Sequence, residues 1–362
     1  MTTCPTRSSL FAAFVAFAAV AAQPVCAQDM PDMRPAAELA KLKPFVGNWQ
    51  GRGTMDDPSG ESMSWRAHGT YRWVLNDHFL REDFVIEFDG MPVPMVFRSY
   101  IGWDRENGRY VAAVCSNEGI ARLNEVQLGD GGAMTVMMRG HEAGSPYFER
   151  HCSSVEGDEM SLTIDLLMVE GDAVRVIDSK LMRCDDAYDG DTDAKGWMGA
   201  TPDENLVRLA KANGLYDVKG SVVMMPGQPP MNIHGTDLYE SWFGGNVCHG
   251  QTNGFADGAP DEYVAHSFWS WDAHRRCLVT VFVSNMGEIG EMEARWVGEQ
   301  LVSTTATVQM GMPLAQRFVM TCAADGHWRT GIGHSLMGAI DPFVSFKATY
   351  EKKGEKKGEK ER

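Results

Sequence analysis

The sequence lacks an excess of basic residues, and it lacks the long apolar segments of membrane proteins. Its 33 lysines and arginines face 49 aspartates and glutamates, which gives a formal net charge of -16. A charge of this sign repels nucleic acid and anionic lipid headgroups. No apolar run reaches the length of about 20 residues that a membrane-spanning helix needs. We therefore predict no nucleic-acid partner and no membrane span.

Several motifs of catalytic and cofactor chemistry are also absent. No Cys-x-x-Cys pair occurs, which removes the usual signal for zinc or thiol redox chemistry. Gly331-Ile332-Gly333 lacks the third glycine of a dinucleotide-binding loop. The segment from Gly333 to Met337 imitates a nucleophile elbow, but Met337 replaces the final glycine and no histidine follows. The motifs therefore predict no metal, no cofactor and no catalytic residue.

The first 27 residues have the pattern of a cleaved secretory signal peptide. Arg7 precedes an apolar run from Leu10 to Ala22, and small residues follow at Val25-Cys26-Ala27. We expect the rest of the chain to be exported, either to the periplasm or out of the cell. Six cysteines follow the signal, three in each half of the chain. Either one bridge joins the halves or each half keeps a free thiol.

The remaining chain contains the same pattern twice. Short motifs of the first half return in the second half at shifts of 166 to 168 residues. The pairs are Gly47-Asn48-Trp49 with Gly214-Leu215-Tyr216, His68-Gly69-Thr70 with His234-Gly235-Thr236, Trp103-Asp104 with Trp271-Asp272, and Ser116-Asn117 with Ser284-Asn285. A near-constant shift over separate motifs indicates two copies of one domain of about 150 residues.

Each copy begins with a helical pattern and continues as short strand patterns separated by turn residues. The helical patterns cover residues 35–43 and 201–210. Asp89-Gly90 and Glu156-Gly157-Asp158 are typical of hairpin turns. We predict an all-β fold of two tandem antiparallel up-and-down β-barrels, each preceded by a short helix. A β-sandwich would show similar spacing.

The predicted domain boundaries follow from this pattern. Residues 35–184 form the first barrel, 185–200 a flexible acidic linker, 201–350 the second barrel and 351–362 a disordered charged tail. Residues 110–115 and 278–283 are apolar on both alternating faces, whereas a barrel wall that faces water alternates. We therefore expect the two barrels to pack on each other through these strands.

The opening of each copy resembles the first strand of lipocalins and related calycin barrels. In those proteins an aromatic residue lies across the closed end of the barrel, beneath a basic residue of the last strand. Trp49 and Tyr216 match the aromatic position. The resemblance implies that Lys180 and Lys347 supply the cation, with Arg183 as the alternative in the first copy. A cation over an aromatic ring contributes about 0.5–2 kcal/mol, so these residues are expected to form a structural latch.

Three motifs of the first copy carry a second resemblance. They are Leu-x-Pro-Phe-x-Gly-x-Trp at 42–49, an aromatic residue followed by Trp-Asp at 100–104, and Ser-Asn at 116–117. They resemble an uncharacterised bacterial family of exported, lipocalin-like domains of unknown function, which implies the fold and no established activity. Gly47-Asn48-Trp49-Gln50-Gly51 is more weakly similar to the opening of nitrobindin-type haem barrels, but no residue matches their proximal histidine.

These observations favour non-catalytic binding of a small apolar or amphipathic molecule inside one or both barrels. A barrel of about eight to ten strands can enclose one such molecule. Tyr100 and Phe268 share strand register and are the predicted pocket walls. His68 and His234 begin a triplet that both copies keep, and they are the predicted polar anchors.

Two alternatives stay open. A histidine and a carboxylate could serve a hydrolase or an isomerase, which requires titrating groups with perturbed pKa values in one cavity. A structural or interaction module would instead have both barrels filled with side chains.

Overall fold

The computed structural model describes residues 34–56, 62–142, 145–168, 172–223, 225–259, 261–309 and 312–354. The predicted signal peptide, residues 1–27, lies outside these ranges, as does most of the predicted tail. Within them the protein forms two closed antiparallel barrels of ten strands each. Each strand pairs with its neighbours in sequence, and the first and last strands of each barrel close the ring. The prediction of two tandem up-and-down barrels is confirmed.

The strands are short and joined by tight turns. The first barrel consists of β1 (Gly47–Asp56), β2 (Ser62–Val74), β3 (Phe79–Phe88), β4 (Met95–Asp104), β5 (Arg109–Ser116), β6 (Ile120–Leu128), β7 (Met134–Glu142), β8 (Ser145–Glu156), β9 (Glu159–Leu167) and β10 (Val174–Cys184). The second consists of β11 (Gly214–Val222), β12 (Met231–Trp242), β13 (Val247–Ala256), β14 (Tyr263–Asp272), β15 (Cys277–Ser284), β16 (Ile289–Val297), β17 (Gln300–Gln309), β18 (Met312–Cys322), β19 (Trp328–Met337) and β20 (Phe343–Lys352). Strand β20 thus extends into the segment predicted as a tail. Gly157 makes the tight turn between β8 and β9 at a φ of 61°, a conformation that favours glycine.

Different kinds of helix precede the two barrels. A short α-helix, α1 (Glu204–Leu209), precedes the second barrel. The segment before the first barrel, Ala37–Phe45, is a 3-10 helix. Its buried residues Leu39, Leu42 and Phe45 recur at every third position, which is the period of that helix. The prediction of a short helix is therefore confirmed before the second barrel and corrected to a 3-10 helix before the first.

An apolar cluster lies between the barrels, separate from the two barrel interiors. It consists of outward-facing side chains from β3 to β6 and from β12 to β16, and of residues in the connections. Val111 and Ala113 on β5 face Val281 and Val283 on β15 within this cluster. These strands are the ones whose two faces are both apolar. The expected packing of one barrel on the other is confirmed.

Residues 185–200 form an ordered connection that hydrogen-bonds to both barrels. The Tyr188 backbone N–H donates to the Thr70 hydroxyl at 2.7 Å. On the other side, the Phe243 backbone N–H donates to the Thr192 carbonyl at 2.8 Å. Backbone groups that are paired in this way hold a segment in place. The connection therefore differs from the flexible linker that its composition predicts.

The cysteines of the described ranges form no disulfide bond between or within the barrels. All six cysteines of the described ranges are free thiols, and Cys115, Cys248 and Cys277 are buried. The second of the two predicted alternatives, free thiols in each half, therefore holds. In the part of the chain that the structure describes, no helix is both long and apolar enough to cross a membrane.

Candidate functional site

The aromatic latch of the first barrel is present, but its cation is Arg183. Trp49 is fully buried, and its indole N–H donates to the Phe45 carbonyl at 2.8 Å. The Arg183 guanidinium carbon lies 4.3 Å from the centre of the Trp49 ring. Lys180 instead forms an ion pair with Glu159 at 2.6 Å on the outer face. Lys180 and Arg183 are an odd number of positions apart on one strand, so their side chains point to opposite faces.

The second barrel has a buried aromatic ring at the equivalent position, Tyr216, but Lys347 does not lie over it. Tyr216 is fully buried, and its hydroxyl donates to the Ala212 carbonyl at 2.7 Å. Lys347 is exposed and lies opposite Ser221 on the neighbouring strand. The residue opposite Tyr216 is Lys352, as Arg183 is opposite Trp49 in the first barrel. The structure therefore moves the basic position from Lys347 to Lys352.

The two predicted polar anchors lie outside the lumens. A ring nitrogen of His68 is 2.8 Å from the Asp186 carbonyl, in the connection that crosses the outer face. His234 is exposed and stacks on Phe255 with 5.9 Å between ring centres. Neither side chain can reach a ligand inside a barrel, so the prediction of these anchors is corrected.

The shared His-Gly-Thr triplet is not a structural repeat. Gly47 pairs with Tyr71 in the first barrel, and Gly214 pairs with Tyr239 in the second. The equivalent tyrosines are thus 168 positions apart, whereas the triplets are 166 apart. Each triplet histidine therefore sits two residues away from the position of its apparent twin. A shift of two keeps both side chains on the outer face.

The two predicted pocket walls meet each other between the barrels. The rings of Tyr100 and Phe268 are 5.6 Å apart, and both residues belong to the interface cluster. The two residues share strand register, as predicted. Their side chains, however, do not face a lumen. The preceding residues, Ser99 and Ser267, point into the lumens, so Tyr100 and Phe268 point out. These aromatic side chains join the barrels and do not line a pocket.

The lumen of the first barrel contains a carboxylate held by two hydroxyl groups. Glu82 on β3 accepts a hydrogen bond from Ser99 Oγ at 2.5 Å and another from the Tyr71 hydroxyl. Burial raises the pKa of Glu82, and these two hydrogen bonds and the nearby His151 partly oppose the shift. Strand alternation places Glu82, Ser99 and Tyr71 on the inner face of three neighbouring strands.

A histidine and a second carboxylate approach from the other side of the lumen. His151 Nε2 on β8 lies 3.0 Å from Glu149 Oε2. Burial raises the pKa of Glu149, but the hydrogen bond with His151 and the charges of His151 and Arg122 outweigh it and lower the pKa. The side chains of His151 and Glu149 keep 29% and 24% of their surface accessible. They are therefore available to a molecule in the lumen.

Glu118 and Arg122 complete this group. Burial raises the pKa of Glu118, against the opposing charge of Arg122, while the charge of Glu149 adds to the shift. We call Glu82, Glu118, Arg122, Glu149 and His151 the lumen cluster. No three His, Cys, Asp or Glu residues of the described ranges are arranged to hold a metal ion. The cluster can donate, accept and exchange protons, and it combines acidic groups with one permanent cation.

The lumen around this cluster is not filled by side chains. Phe97, Val114, Leu162 and Ile164 pack against the core of the first barrel, yet each is only partly buried. Their free surface faces inward because the strands alternate. The first barrel therefore offers apolar wall beside the lumen cluster, which is the usual composition of a small-molecule site.

The second barrel does not repeat the lumen cluster. Strand pairing makes Gly250 the counterpart of Glu82, Gly290 the counterpart of Arg122 and Phe318 the counterpart of His151. The residues that both copies share therefore do not include these groups. The sequence does contain a pattern that indicates them. Polar residues occupy strand positions on the same face as Trp49 and Tyr71, where an apolar core residue is expected.

One family model matches the first barrel. Residues 34–183 match the model of a family described as "Protein of unknown function (DUF1579)". The match agrees with the resemblance of the first copy to a family of unknown function. None of the curated proteins matches the sequence.

Solved structures also match the chain, and three of them are as follows. Rv2717c from M. tuberculosis has 16% identity and a TM-score of 0.32, and the match covers 41% of this chain and 99% of that one. A DUF3598-family protein of unknown function from Nostoc punctiforme has 11% identity and a TM-score of 0.23, over 88% and 100% of the two chains. Kievitone hydratase from Nectria haematococca has 9% identity and a TM-score of 0.14, over 88% and 90%.

Proposed function

We propose that the first barrel binds a small amphipathic molecule, whose polar end contacts the lumen cluster and whose apolar part lies against the inner wall. The observation that carries this proposal is the accessible surface of His151 and Glu149, at 29% and 24%, inside a closed barrel. Charged groups are costly to bury unless they are paired or serve a function. A lumen that combines charged groups with uncovered apolar surface is typical of a ligand site and not of a packed core.

The chemistry of the cluster indicates a ligand with both donor and acceptor groups. Burial raises the pKa of Glu82, and its carboxyl group accepts hydrogen bonds from Ser99 and Tyr71. Arg122 adds donors, while Glu149 adds an acceptor. Hydroxyl and carbonyl groups on a compact apolar skeleton would satisfy this set.

The test is to extract natively purified protein with organic solvent, identify bound molecules by mass spectrometry, and titrate the stripped protein with an amphipathic fluorescent probe. Glu82→Gln and His151→Gln should weaken probe binding at least tenfold. His68→Gln, on the outer face, is the matched control and should bind like the wild type. No extracted molecule together with no probe uptake, or equal binding by all four proteins, would refute the proposal.

A second candidate is acid-base catalysis in the same lumen. It is favoured by the His151–Glu149 pair at 3.0 Å, in which a carboxylate orients an imidazole, opposite a carboxyl group with a raised pKa. This candidate predicts turnover of an ester or isomerisable carbonyl compound, and His151→Gln should lower kcat by a larger factor than it weakens binding. Binding without turnover of any compound that the barrel retains would leave the non-catalytic function alone.

We also propose that the protein is exported. The support is the charged, apolar and small-residue pattern of residues 1–27. Cell fractionation and sequencing of the mature N-terminus test it, with cleavage after Ala27 expected. Uncleaved protein in the cytoplasm would contradict export.

A further inference from the structure

The second barrel contains a cavity in which eight of the described lining residues are Phe, Tyr or Trp. Its volume is about 80 Å³. A single buried water needs only about 10–15 Å³ of such space, so the cavity has room for a larger guest. The rings that line it include Tyr239, Tyr263, Trp269, Phe318, Trp328 and Tyr350.

One carboxylate faces this aromatic cavity. Asp237 on β12 lines the cavity and is only 6% exposed. Thr252 and Tyr239 hydrogen-bond to its carboxylate, but among the described residues its Oδ1 has no partner. No lysine or arginine belongs to the described cavity lining. A buried carboxylate oxygen without a partner is costly, and nothing in the described lining neutralises its charge.

The first barrel closes the corresponding space. The counterpart of Asp237 is Gly69, since these residues lie opposite Tyr216 and Trp49 respectively. The Phe84 ring covers Gly69 so closely that any side chain there would overlap it. In the second barrel, Thr252 replaces this ring beside Asp237. The second copy has therefore lost a filling side chain and gained an acid at the same place.

We propose that the second barrel binds a small organic cation of the methylated ammonium class, with Asp237 as its counter-ion. Ring faces attract a cation, and a desolvated aromatic cage is the usual receptor for quaternary ammonium groups. The cage supplies the apolar contact that the methyl groups require. The carboxylate supplies the negative charge that a cation needs and a neutral guest does not. This site is separate from the lumen cluster and does not depend on the function proposed for the first barrel.

The test is calorimetric titration of the full chain with tetramethylammonium chloride at constant ionic strength. tert-Butanol, a compact uncharged molecule of similar shape, is the ligand control. Tetramethylammonium should bind and quench tryptophan fluorescence, since Trp269 and Trp328 line the cavity. tert-Butanol should bind at least tenfold more weakly. Equal binding of the two ligands, or no binding of either, would overturn the proposal.

Two variants locate the site. Asp237→Asn keeps the size of the side chain and removes its charge, so it should weaken tetramethylammonium binding at least tenfold. Asp217→Asn makes the same change on β11, where the carboxylate lies in an exposed ion pair with Lys353, and it should bind like the wild type. The far-ultraviolet circular dichroism of Asp237→Asn should match that of the wild type, so that lost binding is not lost fold. Unchanged affinity in Asp237→Asn, or equal loss in Asp217→Asn, would contradict the assignment.

Discussion

At the base of the first barrel, Arg183 combines several interactions in one side chain. Its guanidinium carbon lies 4.3 Å from the centre of the Trp49 ring, and its N–H groups donate to the Val46 and Pro44 carbonyls at 2.7 and 2.9 Å. These carbonyls belong to the end of the 3-10 helix and the residue after it. Arg183 therefore ties the last strand to the segment that closes the barrel.

Arg183→Met should lower the free energy of unfolding by about 1–3 kcal/mol, since it removes a cation from a ring and leaves two carbonyls without their donor. Urea unfolding measures this change. The matched control is Lys180→Met on the same strand, whose ion pair with Glu159 is solvent-exposed. The control should change stability much less. Equal effects of the two substitutions would contradict the assignment of the latch.

Asp237 is expected to reduce stability at neutral and alkaline pH. Burial raises its pKa from the ordinary value of 3.8 to about 6, against the hydrogen bonds of Thr252 and Tyr239. Above pH 6 the folded protein holds a buried charge that the unfolded chain hydrates freely. As pH falls from 6 towards 4, the folded state takes up a proton first and gains stability from this group.

Asp237→Asn should therefore raise the free energy of unfolding at pH 8 by about 1–3 kcal/mol, and this gain should vanish near pH 4. Comparing the variant with the wild type at each pH isolates this one group, because all others titrate in both proteins. Chemical unfolding at pH 8, 6 and 4 is the measurement. A difference that does not change with pH would show that the carboxyl group is not responsible.

At the scale of elements, an ion cluster holds the connection between the barrels. Asp83 on β3 is fully buried and pairs with Arg98 at 2.5 Å and with Arg81 at 2.8 Å. Arg98 also donates to the Asp189 carbonyl at 3.0 Å. The connection is therefore fastened to the outer face of β3 and β4 through arginines that Asp83 orients.

Asp83→Asn should loosen residues 185–196 and lower the free energy of unfolding by about 3 kcal/mol, because it leaves a buried arginine without its counter-charge. Hydrogen exchange should become faster in this connection and stay slow in β1 to β10. Glu87→Gln is the control, since Glu87 lies on the same strand in an exposed pair with Arg66. Unchanged exchange in the connection would refute the role of Asp83.

At the scale of the whole molecule, the barrels share an interface with polar as well as apolar contacts. The Ala121 backbone N–H donates to Ser270 Oγ at 2.8 Å across this boundary. His249 Nε2 and His266 Nδ1, both near Phe268, are 3.0 Å apart. Burial lowers the pKa of His266 to about 4, so no histidine charge is buried there at neutral pH.

Phe268→Arg should separate the barrels, because it places a charge in the fully buried centre of this interface. Small-angle scattering should show a larger radius of gyration, while far-ultraviolet circular dichroism stays that of two intact barrels. Phe255→Arg is the control, since Phe255 is 41% exposed on the neighbouring strand. If Phe268→Arg also changes the dichroism, the milder variant Phe268→Ser is used for the scattering measurement. A wild-type radius in both Phe268 variants would contradict the interface.

Local sequence patterns predicted the arrangement of the chain but not the direction of its side chains. The repeat and the hairpin turns indicated two barrels, and the doubly apolar strands β5 and β15 indicated the interface. Tyr100 and Phe268 were correctly placed in register, yet both point outward. A strand that is apolar on both faces carries no signal that tells the lumen from the interface.

The lumen cluster could not be predicted from the repeat. Glu82 and His151 have no counterpart of the same kind in the second copy, and residues that both copies keep, such as the buried aromatic positions Trp49 and Tyr216, serve the shared fold. The triplets that begin at His68 and His234 coincide in sequence but differ by two positions in register. Only the pairing of β1 with β2, and of β11 with β12, reveals this offset.

The amino-acid sequence by itself determined the two tandem barrels, their turns and the strands through which they pack, because these depend on local periodicity and on repetition. The tertiary structure alone decided which face of each strand lines a lumen, which cation covers Trp49, and which acids meet inside each barrel. Ring closure brings β3 and β8 to face each other across the lumen, although some 70 residues separate Glu82 from His151 in the chain. That proximity is a property of the closed sheet.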